Sequence, residues 1–414
     1  MRITRQRRLM ALATASLLTL SLGACSAKGS SSAAAEVDGV KTGAGISGDT
    51  ITLGILSDLT GPFAALSTDL NRGAEMYWDE LNKAGGVCDR FQVKLDIKDH
   101  GYNVQNAVSL YGQTSQNVLA YQTIVGGSHT AAILDQAERE HKLIIPSSST
   151  PTLAQSDVVM VPAPTYDVDM ETVAGFLLEK GLIKKGDKIA TIYMEGDYGE
   201  TAHKGVQKSA EENGFDLLEY KIKASDSDLT AQVNDAVDKG AQAILVSGVP
   251  GHTASVASVL QSRNADLPIG GSWPSYTSSM FDTPAGAYLY KHFYAGSPAT
   301  TWDTPEGQAL YKRATAAYPD AKLTNQFAMG YGMAKLFDTA LEAACKAGDL
   351  TPEGVVKAKM ALPPVETDGI MPTMDYTKPG QSPTRSIFMF QPDPDVPGKL
   401  KSVADGLYTS KDAS

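Results

Sequence analysis

The sequence predicts an α/β fold arranged as two doubly wound parallel-sheet lobes. Three observations lead there. Short apolar runs rich in β-branched residues alternate with segments of helical period. The alternation occurs twice in succession, with a proline-containing stretch between the two rounds. The chain has 414 residues, 42% of them hydrophobic, which is more than one simple core organises.

The first round begins with a strand at Ile51 to Leu56. A helix is expected from Thr68 to Lys83, because Leu70, Ala74, Tyr77, Trp78 and Leu81 share one face; Gly85-Gly86 ends it. Phe91 to Ile97 is the second strand, Val104 to Tyr111 the second helix, and Thr123 to Val125 a third strand ending at Gly126-Gly127. Ala131 to His141 is a helix, and Leu143 to Ile145 a strand stopped by Pro146. Such β-α-β repetition implies a parallel sheet covered on both faces. Met160 to Asp169, with Pro162 and Pro164, looks like a crossing. The second round then has strands at Lys188 to Tyr193, Leu217 to Ile222, Ala243 to Val246 and from Pro268-Ile269. Its helices are Gly199 to Gly214, Leu229 to Lys239 and Ala254 to Arg263, and a late helix spans Gln326 to Lys346. In open parallel sheets ligands bind beyond the carboxyl ends of the strands. Two such lobes facing each other place a ligand in the cleft between them.

Ahead of these rounds, residues 1–24 have the order of a secretory signal. Arg2, Arg5, Arg7 and Arg8 precede an apolar run from Leu9 to Leu22, too short to span a membrane. Leu22-Gly23-Ala24-Cys25 then matches the bacterial lipobox, in which the cysteine is acylated and becomes the first mature residue. A chance cysteine is the alternative. Residues 25–48 are rich in Ser, Ala and Gly, and are expected to form a flexible tether. The formal net charge is −11, and loss of the four signal arginines makes it more negative. An acidic surface argues against nucleic acid as a partner. Beyond Cys25 the cysteines are Cys88 and Cys345. Outside the cell a lone pair bridges; two free thiols are the alternative.

Several stretches resemble the leucine/isoleucine/valine-binding family of solute-binding proteins, the type I periplasmic-binding fold. They are Ile51-Thr52-Leu53-Gly54-Ile55 with Leu59-Thr60-Gly61-Pro62, then Arg72-Gly73-Ala74-Glu75, and Asn82 to Val87. Leu143 to Pro151, Asp197-Tyr198-Gly199, Ser227 to Thr230 and Gly240 to Ala243 continue the series in order. Each motif alone is weak; their order along nearly the whole chain is specific. The resemblance implies two discontinuous lobes joined by a three-strand hinge, with residues 49–165 plus 298–366 in lobe 1 and 166–297 plus 367–414 in lobe 2. It also implies a small-molecule ligand, an ABC importer permease as partner, no cofactor and no catalysis. With the lipobox, the expectation is a monomer held at the membrane by a lipid anchor.

Carried over position by position, the resemblance implies that Ser147 and Ser149 grip a ligand carboxylate. Small hydroxyl residues beyond a strand let neutral donors converge on an anion; a serine-rich surface turn is the alternative. Ser128 or His129 stands near another family contact, against a plain loop histidine. Tyr198 matches a tyrosine that closes over the ligand. Three positions depart from the family. Trp273 stands where amino-acid binders carry the acid that pairs with the ligand ammonium, Val249 replaces a tyrosine, and Leu66 replaces an aromatic residue. A more apolar cleft points to a carboxylate with an apolar or aromatic body, with an amino-acid-like solute as the alternative.

Other signals fail on context. Gly43 to Gly48 spells GxGxxG but precedes the first strand. P-loop, HExxH and GxSxG patterns are absent from the sequence, and the six histidines are dispersed. Glu195 and Asp197 are read as loop acids. An extracytoplasmic enzyme using the same cleft, and a ligand-sensing lobe for a signalling partner, stand as the other function classes.

Overall fold

The computed structural model describes residues 35–410. The expected signal peptide and Cys25 lie outside the described residues, as does the first part of the expected tether. The chain opens with Ala35–Val37 (β1), Val40–Thr42 (β2) and Ile46–Ser47 (β3). It continues through Thr50–Ser57 (β4), Ala64–Ala84 (α1), Gln92–Asp99 (β5), Val104–Thr114 (α2), Ala120–Val125 (β6), Gly127–Arg139 (α3), Ile144–Ser147 (β7) and Pro151–Ala154 (α4). The second half holds Tyr166–Glu179 (α5), Lys188–Met194 (β8), Asp197–Asn213 (α6), Asp216–Ile222 (β9), Thr230–Asp238 (α7), Ala243–Ser247 (β10), Pro250–Ser262 (α8), Ile269–Gly271 (β11), Gly286–His292 (α9) and Phe293–Ser297 (β12). Pro305–Ala317 (α10), Asn325–Lys346 (α11), Asp349–Leu350 (β13) and Pro352–Met360 (α12) follow, then Ile387–Pro392 (β14) and Leu400–Tyr408 (β15).

The first sheet carries β5, β4, β6 and β7 in parallel, with β3 as an antiparallel stub on β4. In the second, β9, β8, β10, β11 and β12 are parallel, and β14 and β15 add antiparallel edge strands. Alternation along β10 shows why both faces are covered. Ala243 and Leu245 point into the core shared with the first sheet, while Ile244 and Val246 point into a second core under α7, α8 and α9. The chain passes between the two sheets after β7, after β12 and again before β14.

The stretch from Ile387 onward yielded no strand by pattern, yet β14 and β15 complete the second sheet. The tether expectation is corrected from Ala35 onward. β1 and β2 form an antiparallel ribbon, β2 pairs in parallel with β13, and Lys41 N–H donates to Gly348 O at 2.9 Å. Arg90 holds the ribbon from the side, 2.9 Å from Asp38 and 3.0 Å from Asp49. Backbone pairing onto an existing fold orders a segment that has little apolar surface of its own.

Cys88 and Cys345 form a disulfide, with Cα atoms 6.5 Å apart and 257 residues between them in sequence. It ties the turn before β5 to the end of α11. Where α1 crosses α11, the helices meet through glycines: a Cβ on Gly73 would lie 2.0 Å from Phe327 O, and one on Gly330 would lie 1.9 Å from Leu70 O. Among the described residues, no helix is long and apolar enough to cross a membrane.

Candidate functional site

A cavity opens at the carboxyl ends of both parallel sheets. Each strand end delivers one part of the wall. Tyr102 follows β5, Val125-Gly126-Gly127 follows β6, and Ser147 ends β7. From the second half come Tyr198 after β8 and Trp273-Pro274 after β11. Phe63, Leu66, Ser67 and Leu70 on the first turns of α1, Tyr166 at the start of α5 and Gln326 at the start of α11 close it. None of these side chains is charged.

Local structure explains the placement. The sequence pattern read Gly126-Gly127 as the end of a strand and started the next helix at Ala131. In the structure Gly126 adopts φ 105°, a conformation only glycine holds cheaply, and α3 begins at once at Gly127. Likewise α6 begins at Asp197, so Tyr198 stands on its first turn rather than in a loop. Both helices therefore direct their N-terminal turns towards the cleft. They approach each other closely, since a Cβ on Gly127 would lie 2.8 Å from Asp197 Oδ2.

Aromatic rings make most of the wall and brace one another. Tyr166 lies 4.7 Å from Tyr198, and stacks on Trp273 at 5.6 Å with planes 24° apart. Phe63 packs on Tyr102 at 4.9 Å. The Tyr198 hydroxyl is 2.5 Å from Ser272 Oγ and 3.3 Å from Gly248 O, so its tip is anchored while its ring faces the cavity. Burial pushes the phenols of Tyr166 and Tyr198 well above their ordinary range, so both are neutral donors or acceptors.

Trp273 is positioned by Asp169, which is fully buried and accepts the Trp273 backbone N–H at 3.1 Å. Burial pushes the Asp169 carboxyl up to about 7, against the lowering effect of that hydrogen bond. Two wall residues, Trp273 and Gln326, carry buried donors, Nε1 and Nε2, with no hydrogen-bond partner among the described residues.

Leu66, Ser147, Tyr198 and Trp273, singled out in the sequence, come together on this one cavity. Ser149 is fully buried behind Ser147, and its backbone oxygen accepts from Tyr166 N–H at 2.8 Å. Val249 caps α8 and is buried, with its N–H donating to His252 Nδ1 at 3.1 Å. Ser128 is exposed on α3. His129 is buried behind Tyr102, stacked on His100 at 4.7 Å; burial and then the neighbouring imidazole push it down to about 4. Sequence reasoning missed Phe63, Tyr102, Tyr166 and Gln326. Phe63 had a signal: it directly follows Gly61-Pro62 and supplies the aromatic ring that Leu66 lacks. Among the described residues, no group of three or more His, Cys, Asp or Glu is gathered to hold a metal.

The family of periplasmic binding proteins matches residues 50–397, spanning both sheets and the cavity between them. The chain belongs to the periplasmic binding protein family. Among solved structures of this kind, it is similar to a fatty acid ABC transporter substrate-binding protein from Thermomonospora curvata. The TM-score is 0.87 and the identity 35%, over 91% of this chain and 96% of that one. A branched-chain amino acid ABC transporter protein from Thermus thermophilus, with bound valine, shares the fold at TM-score 0.74 and 17% identity, over 88% of this chain and 97% of that one. In sequence it is similar to the leucine-, isoleucine-, valine-, threonine- and alanine-binding protein of Pseudomonas aeruginosa, 25% identical over 207 residues. That match covers 48% of this chain and 54% of the relative, so the chain spans about half the length of the curated relatives it matches.

Proposed function

We propose that this periplasmic binding protein captures a monocarboxylate with an extended apolar body in the interlobe cleft and presents it to an ABC importer. The observation that carries the ligand class is the uncharged lining of the cavity. An α-amino acid brings an ammonium as well as a carboxylate. In a cleft walled by Phe63, Leu66, Tyr102 and Tyr166, with Trp273 in place of an acid, that ammonium loses water and gains no counter-charge. Desolvating an unpaired charge costs several kcal/mol. A carboxylate needs only neutral donors and an apolar sleeve. The similarity to a fatty acid binder at 35% identity supports the same class.

The rest of the reading follows the architecture. Residues 49–165 with 298–366 move as one lobe, and 166–297 with 367–414 as the other, about the three crossings between the sheets. Ligand bridging the cleft stabilises the closed arrangement that a permease recognises. The chain acts as a monomer, exported by residues 1–24 and tethered by acylation of Cys25. It binds and releases its ligand without turnover.

Thermal melting of the purified full-length protein tests the ligand class. The panel is decanoate, phenylpropionate, leucine, isoleucine and valine. A ligand at about 100 times its Kd adds about 2.7 kcal/mol and raises the melting temperature by a few degrees. The expected result is a rise with decanoate and none with valine. A rise with leucine or valine and none with either acid would refute the ligand class.

A further inference from the structure

Two donors in the cavity wall have no hydrogen-bond partner among the described residues. Trp273 and Gln326 are each only 3% exposed, yet Trp273 Nε1 and Gln326 Nε2 have no hydrogen-bond partner among the described residues. Both line the same cavity. The indole N–H is a donor and nothing else, and a buried donor left unpaired is disfavoured. The two come from opposite halves of the molecule. Trp273 follows β11 in the second sheet; Gln326 lies on the first turn of α11, which packs against α1 of the first half.

The main chain of both residues is held, and the Trp273 ring is stacked. The Trp273 main chain is fixed by Asp169, and its ring is stacked on Tyr166. Gln326 N–H is capped by Thr324 Oγ1 at 3.3 Å, at the start of a 22-residue helix whose N-terminal dipole favours negative charge. Two unpartnered donors on the wall of one apolar cavity are complementary to a group with two acceptor oxygens and no proton to give. That description fits a carboxylate and excludes an ammonium.

We infer that the ligand carboxylate is received by Trp273 Nε1–H and Gln326 Nε2–H, one oxygen to each, so that the head group itself fastens the two halves together. This rests on the monocarboxylate reading above and deepens it. It moves the head group away from the Ser147 loop to which the family resemblance assigned it. The hydrocarbon then lies along Phe63, Leu66, Tyr102 and Val125. The replacement of an acid by Trp273 thereby acquires a positive role: it turns an ammonium-binding position into an oxyanion-binding one.

Calorimetric titration of the full-length protein with decanoate and with decanol separates head-group recognition from packing. Trp273→Phe keeps an aromatic wall without the N–H, and Gln326→Met keeps the length without the amide. Each is expected to weaken decanoate about ten- to a hundredfold, the range of a hydrogen bond to a charged group, while changing decanol affinity less than about threefold. A Ser147→Ala variant should keep the wild-type preference for acid over alcohol. Melting temperatures of the unliganded variants check that each is folded, and Gln326→Met stands in if Trp273→Phe is not. If Trp273→Phe and Gln326→Met keep the preference and Ser147→Ala loses it, the carboxylate sits at the serine loop and the inference is wrong. If the wild type binds decanol as well as decanoate, carboxylate recognition fails at either place while the apolar cleft stands. If it binds neither, the ligand class falls and this assignment with it.

Discussion

Replacing Gly73 with alanine tests the close contact between α1 and α11, the two helices whose first turns line the cavity. The added methyl would lie 2.0 Å from the backbone oxygen of Phe327, the residue after Gln326. Non-bonded carbon contacts settle near 3.5 Å, so α1 and α11 must part by more than about 1 Å. The obstacle is main chain, which cannot rotate out of the way as a side-chain tip would. Overpacking of this kind costs about 3 kcal/mol, offset by about 1 kcal/mol from alanine's better helix propensity. A net loss of about 2 kcal/mol corresponds to a fall of roughly 2 °C in a chain of this size. Scanning calorimetry reads that fall, and titration with decanoate reads the displacement of Gln326 from Leu66 and Leu70. Gly330→Ala should behave alike, because its methyl would meet Leu70 O at 1.9 Å. The double variant should lose less than the sum, since helices already parted accept the second methyl more easily. An unchanged or raised melting temperature in both single variants, with wild-type affinity, would show that the helices do not touch there and refute the reasoning.

Asp169 makes stability depend on pH. Its carboxyl titrates near 3.8 in an unfolded chain and is pushed up to about 7 by burial. Its contribution is therefore fully present below about pH 4, is lost progressively as pH rises to about 7, and changes little above that, with a slope of about 1.4 kcal/mol per pH unit in mid-window. Asp169→Asn keeps an acceptor for Trp273 N–H and should remove this component; parallel wild-type and variant melting curves between pH 5 and 8 would sink the assignment. Opening the Cys88–Cys345 bridge by Cys88→Ser with Cys345→Ser should cost about 2–5 kcal/mol, seen as a lower urea midpoint, because a very long loop is freed in the unfolded chain. A midpoint within error of the oxidised wild type would contradict that. Trp273→Ala should weaken decanoate and decanol together, as buried aromatic area is lost from the wall; unchanged affinity for both would place Trp273 outside the ligand contact.

Much of the architecture was legible because parallel strands buried on both faces leave a local signature. Lys188 to Tyr193 and Ala243 to Val246 read as largely apolar runs bounded by turns, and both are interior strands of the second sheet. Helix starts were read less well. Gly126-Gly127 and Gly196 look like stops, but they are the tight turns from which α3 and α6 begin at once. β14 was missed because Ile387-Phe388-Met389-Phe390 has the pattern of any short buried run, and its partners are distant β12 and nearby β15. The ribbon at Ala35–Thr42 was read as tether because its stability comes from backbone pairing with Leu350 and from Arg90, neither of which its own composition announces.

The sequence by itself determined the α/β class, the repeated sheet, that two cysteines remain beyond Cys25, and the absence of an acid at Trp273. The first three follow from periodicity and counting, which are local properties, and the fourth from the family resemblance. Only the tertiary structure decided which side chains share the cavity. Phe63, Tyr102, Tyr166 and Gln326 come from four separate segments and meet because two sheets turn their carboxyl ends towards one another. It also decided that Trp273 Nε1 and Gln326 Nε2 in that wall have no hydrogen-bond partner among the described residues. Whether a buried donor is satisfied depends on every neighbour at once, and no spacing along the chain records it.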